Sequence, residues 1–260
     1  MTSNTLNNLK SDFARFFNDN KKLIFVFFCA YLVLIANRYL SEADNLILLL
    51  DKLGLQSMKL KCEEWFFYSS KSRLYSLIYW VSVINIFYLI IPVLIIKFVL
   101  KERARDHGLA IHLEKDFYKY YLLFMAVMIP LVYWASTTHA FQSKYPFYRI
   151  QPGTPLAPDF MIWELFYISQ FFCLEFFFRG FMVKGLQGKF GALSIFIMVI
   201  PYCMIHFGKP VAETIGSVFA GLALGYISYK GKGILTGFLM HITVALTMDF
   251  LALYQKGFFN

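Results

Sequence analysis

Glu175 and Arg179 stand four residues apart in the stretch QFFCLEFFFRG, inside an otherwise apolar run. On a helix, that spacing puts the carboxylate and the guanidinium on one face and within reach of each other. Charges surrounded by hydrocarbon are costly and usually face a bundle interior or a cavity. The two can pin neighbouring helices as a structural ion pair, or they can belong to a reactive centre. Four more ionisable residues recur in nearby apolar runs: Glu164, His206, His241 and Asp249. A Glu and a His can jointly hold a water and deprotonate it for attack on a peptide carbonyl. Glu175, His206 and His241 could instead ligate zinc, although no HExxH helix supplies closely spaced ligands. Glu164 precedes Glu175 by eleven residues, about three turns and nearly the same face. It could line the same cavity or cap the end of its helix. Asp249 lies two turns beyond His241 and could orient a partner or sit solvated at the membrane interface. All these groups fall in the C-terminal half, which points to one shared polar cavity there.

The elements that position them are membrane helices. Of the 260 residues, 58% are hydrophobic and 20% aromatic, well above the roughly 45–50% apolar content of soluble domains. Several apolar runs reach the ~20 residues needed to cross a bilayer. The fold class expected is all-α, a polytopic transmembrane bundle of about seven spans. They run 23–40, 74–100, 117–136, 160–184, 190–207, 211–229 and 233–254, with an interfacial helix near 44–56. Pro92 and Pro130 predict kinks in the second and third spans. Gly221 and Gly225 form a GxxxG that lets a neighbouring helix approach closely. The organisation expected is a cytoplasmic arm (1–22), N-terminal membrane helices (23–136), a Pro-rich extracytoplasmic loop (137–159) and a C-terminal core (160–256).

The net charge of +9 does not call for nucleic acid, because the basic residues fall between spans, where they orient a membrane protein. The expected partners are the lipid bilayer and a membrane-associated substrate. The four cysteines form no CxxC pair, and Cys29, Cys173 and Cys203 lie in apolar runs as packing residues. No cleavable signal peptide is expected.

Three motifs in sequence resemble the CPBP family, which includes CAAX-processing prenyl-protein endopeptidases and bacteriocin-processing or immunity-related proteins. The family carries EExxxR on one span, FxxxH on the next and HxxxN or HxxxD on a later one. Here the positions read LEFFFRG (Leu174–Gly180), YCMIH (Tyr202–His206) and HITVA (His241–Ala245). The resemblance implies a glutamate-dependent intramembrane endopeptidase in a bacterial cytoplasmic membrane. It would cleave membrane-anchored, lipidated or peptide substrates without cofactor or metal. Its implied catalytic residues are Glu175, His206 and His241, supported by Arg179, Glu164, Tyr202 and Asp249. The sequence departs from the pattern twice: Leu174 stands where the first Glu would be, and Ala245 where the Asn or Asp would be. Either Glu175 has taken over catalysis, or the chain is an inactive relative with a binding, scaffolding or immunity role. Helix depth adds a tension. Counted inward at 1.5 Å per residue, Glu175 and His241 lie about 13 and 12 Å deep, and His206 about 24 Å.

Loop charge orients the bundle. The segments on the N-terminal side carry the larger share of Lys and Arg, which places the N-terminus in the cytoplasm, with the loop 137–159 and the C-terminus outside. Reporter fusions at the C-terminus are expected to be active only outside the cytoplasm; cytoplasmic reporter activity would overturn the span count or the orientation.

Overall fold

The computed structural model describes residues 3–259, so Met1, Thr2 and Asn260, the ends of the chain, lie outside the described residues. All its regular elements are helices. The arm is itself helical: α1 (Ser3–Asp19) runs almost directly into α2 (Lys21–Leu40). The expected interfacial segment is a hairpin of α3 (Ala43–Lys52) and α4 (Gln56–Glu63). It leaves Leu48, Leu53, Met58 and Leu60 exposed, as an element lying in the headgroup zone would.

Helix α5 (Ser72–Leu100) is the second span. It winds as π-helix at Ile86–Ile90, just before Pro92, and again at Ile95–Leu100. Proline cannot supply its backbone N–H to the ladder, and local widening of the helix takes up the defect. Helix α6 (Phe117–Ser136) follows, and the Pro-rich loop contains a short helix, α7 (His139–Lys144). The C-terminal half is built from α8 (Asp159–Phe190), α9 (Leu193–Met204), α10 (Val211–Lys230) and α11 (Leu235–Gln255).

Six of these helices are long and apolar enough to cross a membrane, not seven. The expected fifth span, 190–207, is only the twelve-residue α9, about 18 Å long. It stops because the chain turns at 205–208, where Gly208 takes φ +86°. Chain direction nevertheless alternates as a seventh pass would require. At one end, the base, Lys184 Nζ donates to the Tyr229 and Gly231 carbonyls, and the Lys232 N–H donates to Glu114. At the other end, the rim, Tyr145 donates to Glu213 at 2.6 Å, and Lys256 Nζ donates to the Tyr145 carbonyl. Helix α9 therefore runs from base to rim and α10 back again.

The helices share the burden of burial unequally. In its most apolar stretch, α8 is 56% buried, whereas α6 is 11% buried. Helix α8 is the pillar of the bundle. Phe176, Phe177, Phe178 and Phe181 are fully enclosed against Val26, Cys29 and Val33 of α2, Tyr88 of α5 and Met198 of α9. Residues 101–116 close the base of the bundle. Glu102 accepts from Lys22 at 2.8 Å and from His107 Nε2 at 2.6 Å. Burial pushes the His107 imidazole below its ordinary range, so it sits there as the neutral donor.

The glycine pair Gly221 and Gly225 faces α9, as close packing of small residues demands. A Cβ at Gly225 would lie 2.8 Å from Ile195 Cγ2, and one at Gly221 3.0 Å from the Tyr202 ring. Gly225→Val is therefore expected to overpack the α9–α10 seam. The expected cost is about 1–3 kcal/mol, read as a lower thermal midpoint of the detergent-solubilised protein. An unchanged midpoint would mean that the two helices do not meet there.

Candidate functional site

The site begins on α8. Glu175 ends its α-helical part, and residues Phe176–Lys184 continue as π-helix. Both Glu175 and Arg179 are fully enclosed. Arg179 Nη1 lies 3.4 Å from Glu175 Oε1, and the guanidinium carbon stands 3.9 Å from the centroid of the Tyr202 ring. The cation is thus held by one carboxylate and one aromatic face. Its nitrogens find no hydrogen-bond acceptor among the described residues.

Glu175 has a second partner on α11. His241 Nδ1 donates to Glu175 Oε1 at 2.8 Å. A carboxylate only accepts, so Nδ1 carries a proton, and in the neutral imidazole the lone pair is then on Nε2. The other carboxylate oxygen, Oε2, lies against Gly237 one turn earlier on α11; a Cβ there would come within 2.7 Å of it. The glycine admits the carboxylate to the face of α11.

His206 arrives from the turn after α9. Its Nδ1 donates to the Tyr202 carbonyl at 2.8 Å, folding the ring back along α9 by one turn, and its own carbonyl accepts from Thr214 at 2.9 Å. Fold-back and the shortness of α9 reduce the depth mismatch that residue counting gave. The Tyr202 ring then lies between the two histidines, with centroids 4.9 Å from His206 and 6.4 Å from His241.

His206, His241 and Tyr202 line a cavity of about 940 Å³ that reaches the rim at Lys209 and Glu213. Leu174 and Ala245, the two positions that depart from the family pattern, lie on the same wall. Glu175 does not. The sequence reading put Glu175 in the common space with the two histidines; its carboxylate instead points behind the wall, into Arg179, His241 and Gly237. The turn of about 100° per residue that separates adjacent helix positions is the reason. Position 174 faces the cavity, so position 175 faces the interior.

Glu164 and Asp249 stand apart. They face each other between α8 and α11, and among the described residues none of their four carboxyl oxygens has a hydrogen-bond partner. Asp249 is buried rather than solvated, and neither residue reaches Arg179 or the cavity wall. The same two helices are thus linked twice, by Glu175–His241 near the middle and by Glu164–Asp249 toward the rim. Among the described residues, no three His, Cys, Asp or Glu side chains are grouped as metal ligands.

Sequence reasoning passed over Gln170 and Gly237. Gln170 opens the stretch that holds Glu175, and its polarity in an apolar run was the available signal. Gly237 carried none, because only the packed partner shows what a missing Cβ admits.

Fold and site together define a multi-pass membrane protein with a carboxylate–imidazole pair enclosed among its helices. Residues 156–247, roughly a third of the chain, match the family described as Rce1-like: Type II CAAX prenyl endopeptidase Rce1-like. Over that stretch the chain is similar to the CAAX-processing, or CPBP, family, a family of proteases. No curated protein and no solved structure matches the chain.

The buried triad gives a stability test. Arg179→Met leaves the Glu175 carboxylate enclosed without its cation. Breaking a buried pair in this way costs about 3–5 kcal/mol. The double variant Glu175→Gln, Arg179→Met removes both charges and is expected to recover much of that loss in thermal unfolding. Strictly additive losses would mean that the two side chains do not interact.

Proposed function

We propose that the protein is a membrane-embedded endopeptidase that cleaves membrane-anchored or membrane-associated chains. In this reading Glu175 positions the reacting base, His241, and does not touch water itself. One observation carries it. The Nδ1–H of His241 is bonded to a buried carboxylate, and His241 lines a cavity that it shares with His206.

The chemistry follows from the tautomers. Both imidazoles donate through Nδ1, His241 to a carboxylate and His206 to a carbonyl, so both carry an Nε2 lone pair. A water held between the Nε2 atoms loses a proton to His241 as its oxygen adds to the scissile carbonyl carbon. Glu175 stabilises the imidazolium that forms, as a buried carboxylate does for a catalytic histidine. The imidazolium then returns the proton to the amide nitrogen as the C–N bond breaks, leaving a carboxylic acid and an amine, between which the acid proton then passes. Arg179 lies against the same carboxylate, and the Tyr202 ring face packs on Arg179.

A second reading has its own support. Leu174 and Ala245 put apolar side chains on the cavity wall where the family pattern has polar ones, which fits a relative that binds membrane substrates without cutting them. The prenylated CAAX chains named in the family's description are one class of substrate for either reading.

Comparison of the membrane proteome with and without the protein is expected to reveal truncated membrane-associated products. His241→Ala and His206→Ala should each abolish them while the protein stays folded. Glu175→Gln should lower the rate by about 10²–10⁴, the scale of a lost general-base contribution, because the amide can still accept from Nδ1 but cannot offset the imidazolium charge. Glu164→Gln should change the rate far less. Full activity in His241→Ala would end the catalytic claim and favour the binding reading.

A further inference from the structure

Hydrolysis of a peptide bond puts negative charge on the scissile carbonyl oxygen, and a site that performs it needs hydrogen-bond donors aimed at that oxygen. Histidines that serve as acceptors do not supply them. Position 245, one turn beyond His241 on α11 and on the cavity wall, carries only a methyl group.

Resting on the protease reading, we infer that the carboxamide of Gln170 supplies this donor. Gln170 is on the wall of the same cavity and only 7% exposed overall. Among the described residues its amide has no hydrogen-bond partner, yet it is not one of the enclosed polar atoms, so it opens into the cavity. Asn37, which also lines the cavity, differs in this respect, because both its amide atoms are enclosed. Gln170 precedes Leu174 by one turn and shares its face.

The level along the bundle also fits. Helices α8 and α11 run antiparallel and are in register at Glu175 and His241, which are bonded to each other. From that pair toward the rim, Gln170 is five residues away on α8 and Ala245 four residues away on α11. At 1.5 Å per residue these are about 7.5 and 6 Å, the same level. The adjacent Phe171 ring packs 4.5 Å from the His241 ring, which fixes that register at the site itself. The amide therefore faces the place that Ala245 leaves without a polar group, one turn from the attacking water. A neutral N–H donor suits it, since a carboxylate would repel the developing oxyanion and an ammonium would be costly at this depth.

A tetrahedral mimic reads this directly. Affinities of the full-length protein in nanodiscs are measured for a hydrophobic phosphinic peptide, whose anionic P–O group stands in for the oxyanion, and for the matched amide peptide. Wild type is expected to prefer the phosphinate. Gln170→Met, nearly isosteric but without N–H, is expected to lose about 100-fold of that preference, the scale of one oxyanion donor, with affinity for the amide unchanged. Gln170→Glu keeps the shape, replaces donors with acceptors and should lose at least as much, so either variant suffices if the other does not fold. A phosphinate preference kept by both folded variants but lost in His241→Ala overturns the role of Gln170 and leaves the protease reading standing. Equal losses for both peptides also overturn it, since the residue would then act only in ground-state binding or packing. No preference in wild type would overturn the protease reading and this inference together.

Discussion

An arginine enclosed at membrane depth is tolerable only if the protein replaces what water would have given it, and much of the C-terminal half is arranged around that requirement. Arg179 has one carboxylate, Glu175, a turn earlier on its own helix, and one aromatic face, Tyr202, on the neighbouring α9. Glu175 in turn needs donors, and His241 supplies one from a third helix. Three helices are thereby held to one another by groups that would each be strongly unfavourable alone in hydrocarbon. The side chains that make room are small for the same reason. Gly237 admits the carboxylate to α11, and Gly221 lets the Tyr202 ring lie flat between α9 and α10. The aromatic belt of α8 excludes water from this cluster and so strengthens every interaction inside it.

Chemistry and stability meet in the same carboxylate. Glu175 lies against Arg179 on one side and accepts from His241 Nδ1 on the other, so the orientation of the imidazole is set by a group that does not line the cavity. This differs from a site in which the carboxylate itself touches water, and the difference follows from one position on a helix. A leucine at 174 lines the cavity and the glutamate beside it lies behind. The cavity wall accordingly carries the two imidazoles and the carboxamides of Gln170 and Asn37 among mostly apolar side chains, with the carboxylate of Glu175 enclosed behind it and that of Glu213 at the rim.

The bundle around this centre has two kinds of helix. Helix α8 is surrounded by protein, whereas α6 presents most of its surface to lipid and touches α11 through Tyr121 and Thr243, among others. The cavity lies between these regimes, walled by the pillar on one side and by lipid-facing helices on the other. The short α9 is what opens it toward the rim, because a helix of about 18 Å ends before the surface and leaves His206 on a turn.

Much of this was legible in the chain itself. Apolar runs of membrane length specify helices, because a backbone in lipid must satisfy its own hydrogen bonds, and the six long helices follow from that alone. So does the importance of Glu175, Arg179, His206 and His241: ionisable groups in such runs are too costly to be there without partners. The pattern of three motifs pointed to the family that residues 156–247 match. Tertiary structure alone decided how these residues are paired. Hydropathy could not show that the run 190–207 folds as twelve helical residues and a turn, since the turn residues are themselves largely apolar. It could not show that Glu164 and Asp249 face each other and not the cavity, or that Gln170 opens into it. Which face of a helix meets which neighbour depends on packing among helices far apart in the chain. A sequence states the cost of burying a charge, but only the assembled bundle determines which group offsets it.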